Sequence, residues 1–340
     1  MPEGILGLHH VTAIAGDPQR NVDFYAGVLG LRLVKRTVNF DDPQTYHFYY
    51  GDAEGFPGTL LTFFPWPLAT RGRAGAGQIA VTSFAVIPEA LTYWRDRLTA
   101  HQVAFQPIAP RFNEGGIAFS DPDGLLLELV GHPAADGARA WTRGPVPPDY
   151  AVRGLHSVAI WAHRLEPTAR VLADVLGFRA AGEGVDRFRF AGGGGGPGTF
   201  VDVRIAAGTA RGTPGTGTVH HVAFRVADDA SQLEVRRTVA GAELHPTPVI
   251  DRQYFHSVYF HEPGGVLFEI ATDPPGFLID EPLEGLGQHL ELPPQYESYR
   301  GEIERVLPPI TVPPPQTPPN RPRTLAEDAE IQRGSEGGSG

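Results

Sequence analysis

The chain has no cysteine in its 340 residues, which removes disulfides, thiolate-held zinc and thiol nucleophiles from consideration together. A chain without disulfides favours a reducing compartment, and a cytoplasmic location is the expectation. Positive charge is also scarce: 28 basic residues stand against 39 acidic ones, a net charge of −11. Nucleic acids and anionic membrane surfaces are bound through basic surface, so neither is an expected partner. Met1-Pro2-Glu3-Gly4 leads straight into a strand-like run, with no basic segment followed by a long apolar one. Neither a signal peptide nor a transmembrane helix is therefore expected.

What is present is a repeat. With 41 % hydrophobic and 20 % charged residues the chain can bury a core, and its periodicity writes one unit four times. The first runs from the strand Leu8 to Ile14 into a helix opening at Asp17-Pro18. That helix carries Val22, Phe24, Tyr25, Val28 and Leu29 as an apolar stripe and stops at Gly30. Strands at Arg32 to Phe40, Tyr46 to Tyr50 and Thr59 to Phe64 follow, giving the order β-α-β-β-β. The second unit opens at Ile79, with a helix over Pro88 to Ala100; Asp121-Pro122-Asp123-Gly124 then turns into Leu125 to Val130. The third opens at Leu155, and its Val175-Leu176-Gly177 repeats Val28-Leu29-Gly30. The fourth opens at Val219 and closes with a turn into Val266 to Ile270. The glycine run Gly192 to Gly196 lacks the Lys-Ser/Thr of a phosphate loop and reads as a hairpin loop.

This pattern predicts an α+β fold: four βαβββ modules arranged as two paired-module domains forming cup-shaped mixed sheets. Residues 1–132 would be an N-terminal domain of modules 1 and 2. Residues 133–150, rich in Pro and Gly, would be a linker, and 151–272 a C-terminal domain of modules 3 and 4. Residues 273–310 read as a packed extension anchored by Phe277, Tyr296 and Tyr299, with a short helix from Ser298 to Val306. Residues 311–340 read as a Pro- and Gly-rich disordered tail.

The chemistry lies in a duplicated histidine pair. Leu8-His9-His10-Val11-Thr12 returns as Val219-His220-His221-Val222-Ala223. Aligning the units places His10, Ser83, Ser157 and His221 at one position, and Thr62, Glu128, Asp202 and Glu269 at the acidic position of the last strand. Only units one and four supply two imidazoles and a carboxylate. Strand alternation puts His10, His221 and Glu269 on the concave face. It sends His9 and His220 to the face shared with Val222, Phe224 and Val226, under the helices. Two imidazoles and one carboxylate leave three positions open on an octahedral metal, the facial triad of non-haem Fe(II) oxygenases; Mn(II) accepts the same ligands. His47, His101, His132, His156, His163, His256 and His261 lack the duplicated placement and read as non-ligands, and so does Glu128.

These residues resemble the vicinal oxygen chelate superfamily of glyoxalases, bleomycin resistance proteins and extradiol dioxygenases. Val34-Lys35-Arg36-Thr37, Asp251-Arg252-Gln253-Tyr254-Phe255, the long run from Gly264 to Phe277 around Glu269, and Leu292-Pro293-Pro294-Gln295-Tyr296-Glu297 resemble more closely the ring-cleaving hydroquinone 1,2-dioxygenases. The resemblance covers the chain to about Ile310. It implies His10, His221 and Glu269 as ligands of Fe(II), and His9, Thr12, His220, Arg252 and Tyr259 as the groups around the substrate. The implied partners are a small aromatic substrate and O2; the implied reaction opens a hydroquinone ring beside one hydroxyl to a maleylacetate-type product. A catechol extradiol dioxygenase is the near alternative. A glyoxalase-type isomerase would want a second carboxylate where unit one has Thr62. A metal-free sequestering protein would leave the triad without purpose. Modules of this type also pair between chains, which leaves a homo-oligomer open.

Overall fold

The structure is a computed structural model and describes residues 4–316. The expectations for the first residues and for most of the tail fall outside that range. Module 1 comprises β1 (Gly7–Ala15), α1 (Pro18–Val22), β2 (Arg32–Asn39), β3 (Asp42–Gly51) and β4 (Leu60–Pro65). Module 2 comprises β5 (Gln78–Val86), α2 (Ala90–Ala100), β6 (Phe105–Arg111), β7 (Glu114–Ser120) and β8 (Leu126–Gly131). Module 3 holds β9 (Leu155–Ala162), α3 (Glu166–Arg170), β10 (Arg179–Glu183), β11 (Arg187–Ala191) and β12 (Phe200–Ile205). Module 4 holds β13 (Thr218–Val226), α4 (Asp229–Gly241), β14 (Ile250–Asp251), β15 (Phe255–His261) and β16 (Leu267–Pro275). The four modules are therefore real. Edge strands β6, β10 and β14 escape the sequence reading; β6 carries Pro107 and Pro110 and is mostly solvent-facing, so it lacks alternation and suits only an edge.

The sheets do not divide where the linker does. One eight-stranded sheet runs β14-β15-β16-β13-β1-β4-β3-β2 and joins module 1 to module 4. The other runs β10-β11-β12-β9-β5-β8-β7-β6 and joins modules 2 and 3. The sequential split into 1–132 and 151–272 thus does not describe the sheets: the central pair of the first, β1 and β13, comes from opposite ends of the chain. Val11, Ala13, Val222, Phe224 and Val226 face a core shared with Phe84, Leu127 and Val158 of the second sheet. The segment between the halves holds only short turns, yet it buries Trp141 and Val146.

Local signals behave as the residues dictate. Asp17 caps α1 by accepting from the Arg20 amide at 2.8 Å. Gly30 and Gly177 end the first helical segments of modules 1 and 3 with φ of 68° and 73°. Asp121, buried in the turn before β8, accepts from the Leu125 amide at 2.8 Å and the Tyr25 hydroxyl at 2.9 Å, tying module 2 to the helix of module 1. Burial pushes its pKa from 3.8 up to about 6. A carboxyl raised in the fold stabilises it fully below its unfolded pKa, and that contribution is lost as pH rises through about 6. Asp121→Asn is expected to remove this loss, so thermal unfolding of the variant should gain on the parent between pH 4 and pH 7. Parallel curves would refute it.

The extension runs beside β2. Lys35 is fully buried, with its Nζ 2.6 Å from Asp280 Oδ1 and 2.5 Å from Glu281 Oε2, above the Tyr254 ring. Tyr296 donates to the Phe40 carbonyl at 2.8 Å and Phe277 is buried, as expected of anchors. Tyr299 is 55 % exposed and anchors nothing. The helical turn spans Arg300–Val306, preceded by a tighter turn over Pro294–Tyr299. Among the described residues no helix is long and apolar enough to cross a membrane.

Candidate metal centre

β1 and β13 lie side by side, antiparallel, and β16 pairs with β13 in parallel. This brings His10, His221 and Glu269 together. His10 Nε2 lies 3.2 Å from His221 Nε2 and 3.3 Å from Glu269 Oε2; His221 Nε2 lies 2.9 Å from the same oxygen. Mutually cis donors at roughly 2.1 Å from a divalent ion would be about 3 Å apart, so these spacings suit one face of an octahedron. All three residues are buried.

The two histidine pairs depart from simple alternation because each strand carries a bulge. Leu8 faces Phe224 and His10 faces Ala223, so His9 is an extra residue in β1. Thr12 faces His221 and Ala13 faces Val219, so His220 is the extra residue in β13. The bulges turn His9 and His220 away from the helices and against their neighbours, which corrects the strand-face expectation. Each partner is reached through Nδ1: His9 to His10 at 2.9 Å, His220 to His221 at 2.8 Å.

These contacts set protons. His9 Nε2 lies 3.1 Å from the Thr272 carbonyl, which can only accept. Burial and the neighbouring His10 push the His9 pKa down to about 3, so the ring is neutral and its Nδ1 is an acceptor. His10 must then donate from Nδ1, which leaves its Nε2 lone pair facing the centre, the usual device for orienting a metal-binding imidazole. Burial likewise lowers the His221 pKa. Donation from its Nδ1 to His220 presents the same lone pair and leaves the His220 Nε2–H unspent.

Glu269 tests whether a cation belongs here. Its Oε1 accepts from Ser257 at 2.5 Å, while Oε2 is buried without a hydrogen-bond partner, although both imidazole nitrogens lie near it. A carboxylate oxygen and imidazole lone pairs converging on one point, away from water, fit a divalent metal ion.

Beside the triad is a cavity of about 510 Å³ with an aromatic wall of Phe40, Tyr49, Phe64, Trp66 and Phe255. His220, Arg252, Tyr259 and His47 also line it. Arg252 Nε donates to the Tyr259 oxygen at 3.3 Å and its Nη1 meets Asp41 at 3.2 Å. Burial, then Glu269, raises the Tyr259 pKa, so its hydroxyl keeps a proton to give. His9, in contrast, is behind His10 and spends its donor on Thr272. His47, Tyr49, Phe64 and Trp66 are lining residues that sequence reasoning missed. The period-two alternation of β3 and β4 carries His47, Tyr49 and Phe64 onto the concave face, and Trp66 follows just past the end of β4, but nothing local marks them.

The second sheet has the same bulges, at Ala80 and His156. Val81 and Ser157 follow them as His10 and His221 do, and Ser83 takes the place of Thr12, which corrects the alignment of Ser83 with His10. Asp202 stands where Glu269 does, but Arg189 Nε donates to its Oδ1 at 2.8 Å and Arg189 Nη1 to Glu114 Oε2 at 2.7 Å. A guanidinium fills this second centre.

Residues 7–129 match the glyoxalase/bleomycin resistance protein/dioxygenase superfamily. Over 314 residues the chain is 46 % identical to the Bacillus subtilis "Putative ring-cleaving dioxygenase MhqO", covering 92 % of this chain and 99 % of that one. It is 36 % identical over 315 residues to a chlorohydroquinone/hydroquinone 1,2-dioxygenase of Sphingobium indicum, with 90 % and 97 % covered. The crystal structure of a "putative dioxygenase" from Bacillus subtilis superposes with a TM-score of 0.88 at 46 % identity, over 92 % of this chain and 99 % of that chain. Glyoxalase I from Zea mays, at 15 % identity and a TM-score of 0.57 over 83 % and 97 %, shares the fold. The chain belongs to the glyoxalase/bleomycin resistance protein/dioxygenase superfamily, and within it to the family of the ring-cleaving dioxygenases.

Proposed function

We propose that the chain is a non-haem Fe(II)-dependent dioxygenase that opens the ring of substituted hydroquinones beside one hydroxyl, giving maleylacetate-type products. The observation that carries this reading is the facial set of His10, His221 and Glu269 at the edge of an aromatic-walled cavity. The hydroquinone dioxygenase relative supports the substrate class. Fe(II) held by these three residues would supply open positions for a substrate oxygen and O2; Mn(II) suits the same donors.

The chain's own groups do the rest. A hydroquinone offers one hydroxyl to a metal where a catechol offers two, so the walls must orient the ring. The aromatic side chains sandwich it and exclude water. Tyr259 and His220 each carry an unspent proton toward the cavity and donate to the substrate oxygens. Arg252 supports the Tyr259 oxygen and stabilises negative charge that develops on the opening ring. His9 acts indirectly, by holding the tautomer of His10. The glyoxalase alternative is disfavoured by Thr62, whose hydroxyl is engaged with Thr12 at 2.8 Å and offers no second carboxylate.

Anaerobic reconstitution with Fe(II), followed by oxygen uptake with a panel of hydroquinones and catechols, tests the proposal. Uptake with hydroquinones is the expected result. Faster uptake with catechols would favour the extradiol alternative, and none with either at full metal occupancy would end the dioxygenase reading.

A further inference from the structure

Arg252 is held only loosely through its own side chain. Its Nε contact with the Tyr259 oxygen is long, at 3.3 Å, and the side chain of its other partner, Asp41, is 75 % exposed. Exposed ion pairs contribute little, so the place of the guanidinium depends on the backbone that carries it. That backbone is a tight loop between β14 and β15. The Gln253 amide donates to Asp251 Oδ1 at 2.7 Å, the Tyr254 amide to the Arg252 carbonyl at 2.8 Å, and the Arg252 amide to the Phe255 carbonyl at 3.0 Å. Gln253 has a φ of 66°. A long side chain enters that left-handed region at a cost, and stays there when its surroundings hold it.

The extension supplies the hold. Asp280 follows the short turn Phe277–Ile279 and turns one oxygen, Oδ1, to Lys35. Its Oδ2 accepts from Gln253 Nε2 at 2.7 Å and from the Tyr254 hydroxyl at 2.9 Å. The buried Tyr254 ring packs on Phe277, with centroids 4.9 Å apart. Lys35 has a second carboxylate in Glu281, so its charge is balanced without Asp280. Arg252 and Phe255, near the two ends of the loop, line the cavity; Gln253, Tyr254 and Asp280 are not among its walls.

We propose that Asp280 is a positioning residue: by gripping Gln253 and Tyr254 from behind, it fixes the loop that aims Arg252 into the cavity. Residues 273–310 then support the site as well as packing beside β2. The chemical role of Arg252 rests on the proposed function, whereas the grip on its loop does not.

The grip is read by amide hydrogen exchange, because the amides of Arg252, Gln253 and Tyr254 are hydrogen-bonded within the loop. Asp280→Ala removes the acceptor while Lys35 keeps Glu281. Gln253→Asn suits the left-handed backbone, is too short to reach Asp280 and changes no charge. In both, exchange across residues 251–255 should rise on the order of tenfold, the effect of one lost hydrogen bond to a charged group, with β13 and β16 unchanged. The consequence for Arg252 is read by oxygen uptake with a hydroquinone at full Fe(II) occupancy. Both variants should lower kcat roughly tenfold at unchanged KM and metal content, as expected when a group that meets charge in the transition state is misplaced. Combined with Arg252→Met, neither should add a further loss, because each acts through Arg252. Parental exchange or parental kcat in both variants, or losses that multiply with Arg252→Met, would overturn the assignment alone. A parent that takes up no oxygen would overturn the proposed function, and exchange would then decide the grip by itself.

Discussion

Replacing His221 by alanine is expected to empty the centre of metal while leaving the fold in place. The residue contributes one of three converging donors, and its ring lies at the cavity edge rather than in the shared core. Removing a group that merely orients a ligand weakens metal binding roughly 10–100-fold, and removing the ligand itself costs more. His9→Phe, which deletes the acceptor for His10 Nδ1, should fall within that lower range. Elemental analysis after gel filtration checks both, with circular dichroism as the control for folding. Metal retained in His221→Ala at the parental level would show that the triad is not the site.

Arg189→Met is expected to destabilise the fold strongly while leaving the triad untouched. Arg189 is buried and holds two buried carboxylates, Asp202 and Glu114. Taking one partner out of such a cluster leaves uncompensated charge and costs about 3–5 kcal/mol, a drop in Tm on the order of 10 °C. The pH dependence gives the effect a signature. Burial opposes ionisation of Glu114, but His156 and Arg189 outweigh it and hold its pKa down from 4.5 to about 2. A depressed carboxylate stabilises the fold above its unfolded pKa, and that contribution is lost as pH falls toward the folded value. The difference between variant and parent should therefore narrow as pH falls from about 4.5 toward 2. Metal content should stay parental, since the first sheet supplies all three donors. A Tm within a degree or two of the parent would contradict this account of the second centre.

The repeat was legible because each module writes the same periodicities, and the triad because a histidine pair recurs in register with an acid. The location of His9 and His220 was not. A bulge shifts a strand by one residue, and one residue inverts the face, so alternation read along β1 or β13 alone gives the wrong side. The pairing of sheets was hidden for a related reason. The Pro- and Gly-rich segment between the halves marks a break in composition, whereas the sheets follow the hydrogen bonds of β1 to β13 and β5 to β9. The filling of the second centre by Arg189 was equally hidden, since Asp202 looks like any other acid until its partner across the ladder is known. Edge strand β6, with prolines and an exposed surface, carries no periodic signal to read.

Lys35 is the chain's single lysine, and its ammonium is enclosed by the extension through Asp280 and Glu281. Side-chain amine reagents therefore have one target in this protein, and it is closed to them while the extension is docked. Acylation of Lys35, followed by mass spectrometry, becomes a clock for the release of residues 273–310: its rate measures how often that segment lifts from β2. Carbodiimide or aldehyde chemistry aimed at lysines will find almost nothing to immobilise on the folded surface.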